Sequence, residues 1–214
     1  MSARHEIFTA LRRLRPQEFS AETIEARARE LARAMQDSLP PLECSDLCEN
    51  FIARVTAEKV GATVERLAGW PDLPEAVARY AEMHGLEKEV ALQPDPRLQT
   101  LDWTVFLRAD APLRPDSMLA VGAARGGIAE TGSLVFHSGP EAPTLYGFLP
   151  LHHIVALEAR TIVARFEDYA AAEQGQPQPR NVNFITGASG TTDIEGVLAR
   201  GAHGPRRLHI LIVG

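Results

Sequence analysis

One carboxylate stands alone in glycine-rich, apolar company. Glu130 lies in Gly126-Gly-Ile-Ala-Glu-Thr-Gly-Ser133, between the apolar runs Leu119 to Ala123 and Leu134 to Phe136. A carboxylate in such surroundings is costly unless it is paired or hydrogen-bonded, and desolvation raises its pKa. Three roles suit it: a general base, a nucleophile, or a buried acceptor that anchors a loop. Thr131 and Ser133 beside it supply hydroxyls, and Gly132 a backbone free to approach a ligand closely.

A second stretch has the composition of an anion cradle. Thr186-Gly-Ala-Ser-Gly-Thr191 follows the β-branched and aromatic run Val182 to Ile185. Its Thr186, Gly187, Ser189, Gly190 and Thr191 offer hydroxyls and backbone N–H groups to a small anion. Thr192-Asp-Ile-Glu195 fits a capping box, with Ile194, Val197 and Leu198 at helical spacing, Arg200 in the last turn and Gly201 as the stop. A helix of about two and a half turns is expected there. Asp193 in its first turn, with His203 and Gly204 in the turn that follows, completes the candidate binding set. The same Thr192 and Glu195 would also satisfy the helix amides internally, which is the ordinary capped-turn alternative.

The elements needed to hold these stretches are those of an α/β protein. Leu208 to Val213 is almost wholly apolar, as a strand covered on both faces requires. Upstream, Leu47, Phe51, Ile52 and Val55 mark a helix from about Cys44 to Val60. Ala62 to Leu67 reads as a strand, Asp72-Leu-Pro-Glu75 as a helix start with Gly85 as its stop, and Glu89 to Leu92 as a short strand. Helix, strand, helix, strand predicts parallel right-handed crossovers. Ile154 to Leu157 is another strand and Ile162 to Ala172 a helix, while residues 94–116 have no clear pattern, Trp103 to Leu107 suiting either a strand or a short helix. The fold class predicted is α/β, a mainly parallel sheet sandwiched by helices. An amphipathic helical extension over residues 1–43 precedes the main domain at residues 44–214, its helices marked by Ile7, Leu11 and Leu14 and by Ser20 followed by Ile24, Ala28, Leu31, Ala32 and Met35.

The 214 residues carry a formal net charge of −6, which argues against nucleic acid as a default partner and against a polybasic membrane anchor. No run approaches the roughly 18 apolar residues that span a bilayer, and the first residues lack a signal-like apolar region, so a cytoplasmic protein is expected. Cys44 and Cys48 read as packing residues. Adjacent His152 and His153 would face opposite sides of a strand, and no His-x-x-x-His or Cys-x-x-Cys spacing occurs, so no metal site is predicted.

Four blocks in order, Gly127-Ile-Ala-Glu-Thr-Gly-Ser-Leu-Val135, Leu149-Pro-Leu-His-His-Ile154, Thr186-Gly-Ala-Ser-Gly-Thr-Thr-Asp-Ile-Glu195 and Gly201-Ala-His-Gly-Pro205, resemble the LUD-domain family, of the lactate-utilisation protein C type. The resemblance covers about residues 45–214. It implies a fold similar to the sugar-phosphate isomerase and CoA-transferase group. It also implies a part in bacterial oxidation of L-lactate to pyruvate, beside two iron–sulfur subunits that carry the clusters, with no cofactor on this chain. In CoA transferases of that fold group a glutamate is the nucleophile, and Glu130 is the matching candidate. Gly190 stands where many relatives carry a larger residue, commonly arginine, which leaves Arg125, Arg206 and Arg207 as the guanidinium candidates for a carboxylate.

Three functions follow as alternatives. The chain is an accessory or substrate-binding subunit of a lactate-oxidising complex; or a free-standing isomerase- or transferase-like enzyme using Glu130; or a small-anion-binding module without chemistry, in any case with a homo-oligomer possible.

Overall fold

Capping and amphipathic spacing generate the two amino-terminal helices, α1 (Ala3–Arg13) and α2 (Ala21–Gln36). Ser20 caps α2, accepting from Thr23 N at 3.2 Å. In the computed structural model, which describes residues 3–13, 19–36, 42, 45–106, 113–192 and 198–214, the chain divides into two units, Met1–Pro41 and Leu42–Gly214. Ile24 and Leu31 on the expected apolar stripe of α2 are exposed, as are Ile7 and Phe8 on α1. Cys44 and Leu14 lie outside the described residues, and Cys48 is a free, half-buried thiol whose pKa is raised by burial.

The second unit starts with α3 (Leu47–Val55), whose first turn is capped by Asp46 Oδ1, accepting from Cys48 N and Glu49 N. Next come β1 (Thr63–Leu67), α4 (Leu73–Met83), the two-residue β2 (Ala91–Leu92), and α5 (Pro96–Gln99). Gly85, with φ of 62°, ends α4 as expected. Trp103 forms neither strand nor regular helix. It sits in a turn closed by Phe106 N to Trp103 O at 2.9 Å, with its indole N–H donating to Leu98 O at 2.8 Å. Leu107 lies outside the described residues.

Strands β3 (Leu119–Ala123), β4 (Gly126–Ile128), β5 (Ser133–His137), β6 (His152–Glu158) and β7 (Ile162–Val163) follow. They are succeeded by α6 (Phe166–Ala172), β8 (Val182–Ile185), β9 (Gly190–Thr192), β10 (Leu198–Arg200) and β11 (Arg207–Val213).

The main sheet is parallel throughout, in the order β1-β11-β6-β3-β2. Its two faces are both covered, which explains the apolar runs Ile154 to Leu157 in β6 and Ile210 to Val213 in β11. Ile154, Ala156, Leu211 and Val213 pack with α4 residues Leu73, Val77 and Tyr80. Val155, Leu157, Ile210 and Ile212 pack on the other side with Phe51 and Val55 of α3 and with Leu134. The mainly parallel sheet flanked by helices is therefore present. A second sheet, β7-β4-β5-β8, accompanies it on the α3 side, with β4 antiparallel to β5 and β5 antiparallel to β8.

Two expected helices are corrected. Ile162 and Val163 pair with Gly127 and Ile128 as β7, so the helix there is only α6. These β-branched residues fit a pleated surface better than a helix. The helix expected from Thr192 to Arg200 is replaced, where described, by an antiparallel pair in which Leu198, Ala199 and Arg200 lie opposite Thr192, Thr191 and Gly190. Consecutive Thr191 and Thr192 favour the strand. Arg200 is held there by donating to Glu58 O at 3.1 Å and Val60 O at 3.3 Å beyond the end of α3. Asp193 and Glu195 lie outside the described residues.

Candidate functional site

The β4–β5 turn presents Glu130 to the start of α6. Its Oε1 accepts from Phe166 N at 2.9 Å, its Oε2 lies 3.9 Å from Arg165 Nη1, and its own N–H donates to Ala164 O at 3.0 Å. A carboxylate on the first free amide of a helix satisfies an orphan donor and opposes the positive end of the dipole. Gly132 takes φ of 70°, and a Cβ there would stand 2.8 Å from Val55 N, so this turn is seated directly on the end of α3.

From this turn a chain of hydroxyls reaches the second predicted stretch. Thr131 Oγ1 and Ser133 Oγ are 2.7 Å apart, and Ser133 Oγ and Thr186 Oγ1 are 2.6 Å apart. The register of β5 with β8, Leu134 opposite Ile185, places these groups together. Ser133 is the buried middle member.

The loop of residues 186–191 does not open a helix, and β8 belongs to the second sheet and not to the parallel one. Its inner amides are committed to the protein: Ala188 N donates to Val60 O at 3.2 Å and Ser189 N to Pro205 O at 2.9 Å, while Ser189 O accepts from Gly201 N at 3.0 Å. Gly187, at φ of 89°, passes so near Val60 that a Cβ would lie 2.5 Å from Val60 O. A Cβ on Gly204 would be 3.3 Å from Ser189 Cβ. Gly187, Ser189 and Gly204 thus form a packed junction between this loop, the segment that links α3 to β1 and the turn before β11. Gly190 and Thr191 are taken into β9, and His203 is exposed.

Two clusters without a sequence motif lie at opposite ends of the parallel strands. At the amino ends, Tyr80 of α4 and His84 just past its end meet His152 and His209. Tyr80 Oη and His152 Nδ1 are 3.0 Å apart, Tyr80 stacks on His209 at 4.8 Å, and His84 lies 5.4 Å from His152, centroid to centroid. Burial, then the neighbouring His84 and Arg207, depress His152 to about 4. His84 and His209 are lowered too, mainly by burial, and burial lifts the Tyr80 phenol to about 12. No group of metal-ligating side chains occurs among the described residues.

At the carboxyl ends is a cleft of about 640 Å³, bordered by Gln93, Arg97, Ala123, Arg125 and the stretch from Phe136 to Ala142. Backbone pairing converges there: Gln93 N donates to Val121 O and Arg125 N to Val135 O, each at 2.9 Å. Arg97 is fixed by Asp95, with its Nε to Oδ1 at 3.0 Å and Nη2 to Oδ2 at 2.8 Å, and reaches Glu158 at 3.3 Å. Arg125 makes a two-point contact with Glu173, at 2.9 and 3.2 Å. The His137 ring meets Tyr169 Oη at 2.5 Å and is held below the usual histidine range by burial and by Arg125. Clefts outside the carboxyl ends of parallel strands are the usual ligand positions of α/β sheets, and this volume lies in the range of small-molecule sites.

Comparison with known proteins agrees with the resemblance of the four sequence blocks. Residues 116–213 match the LUD domain model. Lactate utilization protein C of Geobacillus kaustophilus is 30% identical over 184 residues, covering 80% of this chain and 75% of that protein. The protein of the same name from Deinococcus radiodurans is 29% identical over 203 residues, 87% and 91% of the two chains. An uncharacterized protein of Neisseria meningitidis is 38% identical over 92 residues, and the match spans only 40% of that protein's length. The crystal structure of a DUF162 family protein from D. radiodurans superposes with a TM-score of 0.53 at 21% identity, over 81% of this chain and 100% of that one, which is a likeness of fold. The chain belongs to the LUD-domain family, of the lactate utilization protein C type.

Proposed function

We propose that this chain is a substrate-binding or accessory subunit of a bacterial system that oxidises L-lactate to pyruvate, working beside iron–sulfur subunits that hold the redox centres. The observation that carries this reading is the 30% identity, over 80% of the chain, to a protein named for lactate utilisation. The carboxyl-end cleft, with Arg125 on its rim, gives the reading a place for a small carboxylate. The reading places the protein in the cytoplasm; no helix among the described residues is long and apolar enough to cross a membrane.

The geometry favours this over a transferase-like enzyme built on Glu130. That carboxylate already accepts the Phe166 amide and faces Arg165, so attack on a substrate would strip the start of α6 of its acceptor. The Thr186 loop, with its inner amides committed to Val60 and Pro205, supports a structural role in the same way.

The test is growth on L-lactate as sole carbon source after deletion of the gene, combined with recovery of the tagged protein at native expression. Loss of growth, restored by the gene, and co-purification of cysteine-rich iron–sulfur proteins are expected. Unchanged growth together with a free, monodisperse protein would sink the proposal.

A further inference from the structure

One strand edge of the main unit is open and carries none of the usual protection. β8 is the outer strand of the second sheet, and no strand among the described residues pairs with its free side. Asn181 O accepts Ser138 N at 2.9 Å, and the antiparallel register continues through Asn183 opposite Phe136 to Ile185 opposite Leu134. Backbone groups alternate in direction along a strand, so the odd-numbered residues turn theirs toward β5. Val182 and Phe184 turn theirs outward, each with an N–H and a C=O that find no backbone partner among the described residues.

The other edges of the two larger sheets are blunted in the ways that keep strands from pairing between molecules. β2 and β7 are two residues long, and β1 carries Glu65 and Arg66. β8 has four residues, Val-Asn-Phe-Ile, and neither a charge nor a proline stands between Asn181 and Thr186. Its two faces are also incompletely covered. Phe184 packs against the rings of Phe166 at 4.9 Å and Tyr169 at 5.6 Å, centroid to centroid, yet stays 43% exposed. On the opposite face, Phe148 borders the same crevice as Asn183 and Ile185 and is 44% exposed.

We propose that β8 is a self-pairing edge, on which a second copy of this chain adds its own β8 antiparallel about a two-fold axis at Asn183, joining two four-stranded sheets into one continuous sheet. A second copy is favoured over a foreign strand because β8 is complementary to itself. With Asn183 facing Asn183, the Val182 N–H reaches Phe184 O of the second copy, Val182 O accepts the Phe184 N–H of the second copy, and the axis repeats both bonds. Every outward backbone group is thereby used. Each Phe184 lies beside a Val182, a favourable pair of aromatic and β-branched side chains. Arg180 falls opposite Thr186, far from its own symmetry mate, so no like charges meet. Such isologous two-fold contacts are the commonest form of homo-oligomer. An edge of four residues buries less than a standard interface, so the dimer is weak, with a dissociation constant in the micromolar range. The pairing is independent of the lactate reading.

The experiment is sedimentation equilibrium of the full chain over a wide concentration range, where a reversible monomer–dimer equilibrium is expected. Val182→Pro removes an N–H that faces outward and leaves the ladder with β5 intact. It should weaken the dimer about tenfold or more, because symmetry removes two hydrogen bonds at once. Val182→Lys keeps the backbone, guards against a folding defect of the proline variant, and should weaken the dimer comparably by setting a charge on the edge. The register is tested by oxidation. Asn183→Cys, in a chain that also carries Cys44→Ser and Cys48→Ser, should form an intermolecular disulfide readily, since facing residues at such a position have Cα atoms about 4.5 Å apart. Asn181→Cys, about 13 Å from its symmetry mate, should not. A monomer at every concentration, a dimer that survives both Val182 variants, or cross-linking at 181 as fast as at 183 overturns the proposal. Protection of the Val182 and Phe184 amides from hydrogen exchange only in a complex with another protein assigns the edge to a foreign strand and overturns it likewise.

Discussion

The Oε1 atom of Glu130 accepts the backbone N–H of Phe166 at 2.9 Å, joining the β4–β5 turn to the first residue of α6 across 36 positions of sequence. The most conspicuous carboxylate of the sequence is thereby a cap supplied from outside the helix it caps. Asp168 Oδ2 adds a second contact by accepting Arg165 N at 3.0 Å, so the start of α6 is held from two sides.

Replacing Glu130 by Ala should therefore act on stability first. Loss of a helix cap and its charge-assisted hydrogen bond costs about 1–2 kcal/mol, which lowers Tm by roughly 3–6 °C in a chain of this size. Glu130→Gln keeps an oxygen for the Phe166 amide and should lose less than half as much. Calorimetric unfolding of the two variants decides the matter. An unchanged Tm in Glu130→Ala would mean that the cap is dispensable and would return Glu130 to the candidates for chemistry.

Gly187 makes a sharper test of the Thr186 loop as a packed junction. At φ of 89° any side chain is strained, and a Cβ would lie 2.4 Å from Val60 Cγ1 and 2.5 Å from Val60 O. Gly187→Ala is expected to cost about 2–4 kcal/mol through backbone strain and displacement of Val60 in the link between α3 and β1. Gly139, with nothing within 4 Å of its Cβ position, is the control, and Gly139→Ala should be neutral within about 0.5 kcal/mol. Denaturant midpoints that fall equally for both variants would remove the argument that contact with Val60 fixes the loop.

The sheet was legible in the sequence because burial on both faces leaves an unmistakable trace. The runs Ile154 to Leu157 and, His209 apart, Leu208 to Val213 are apolar because α4 covers one side and α3 with the second sheet covers the other. The supposed helix after Thr192 was not legible, since Ile194, Val197 and Leu198 have helical spacing whatever the backbone does. What sets β10 is remote: the Arg200 guanidinium on the carbonyls of Glu58 and Val60. Glu130 and Thr186 stand out in the sequence, yet their contacts with Phe166 and Ser133 depend on strand pairing and on where α6 is placed, which spacing does not show. The cleft was missed for the same reason. Gln93, Arg125 and His137 come from three strand ends and share no motif spacing.

Acid should destabilise the fold through its buried histidines. Burial depresses His153 from 6.5 to about 4, and His152 also falls to about 4. Between these values the unfolded chain binds protons that the folded chain refuses, so the stabilisation is complete above about pH 6.5 and is lost as pH falls toward about 4. For fully buried His153 the loss is at most about 3 kcal/mol. His153→Phe should flatten the slope of stability against pH in that window, measured by urea unfolding at closely spaced pH values. A slope unaltered by this substitution would show that His153 protonates as freely in the folded chain as in the unfolded one.

The pairing of Arg125 with Glu173 gives a prediction opposite in sign to the usual effect of substitution. Glu173 approaches the guanidinium at 2.9 and 3.2 Å, so a carboxylate arriving at Arg125 competes with a resident one. The Arg125 side chain is 49% exposed, and a half-exposed pair of this kind is worth no more than about 1 kcal/mol. Glu173→Gln should therefore strengthen binding of small carboxylates by roughly twofold to fivefold. Raising the ionic strength should narrow the gap between variant and parent, because salt weakens the resident pair as well as the incoming one. Affinity that falls in Glu173→Gln would mean that Glu173 positions the guanidinium for its ligand and does not compete with it, and calorimetric titration of parent and variant at two salt concentrations separates those outcomes.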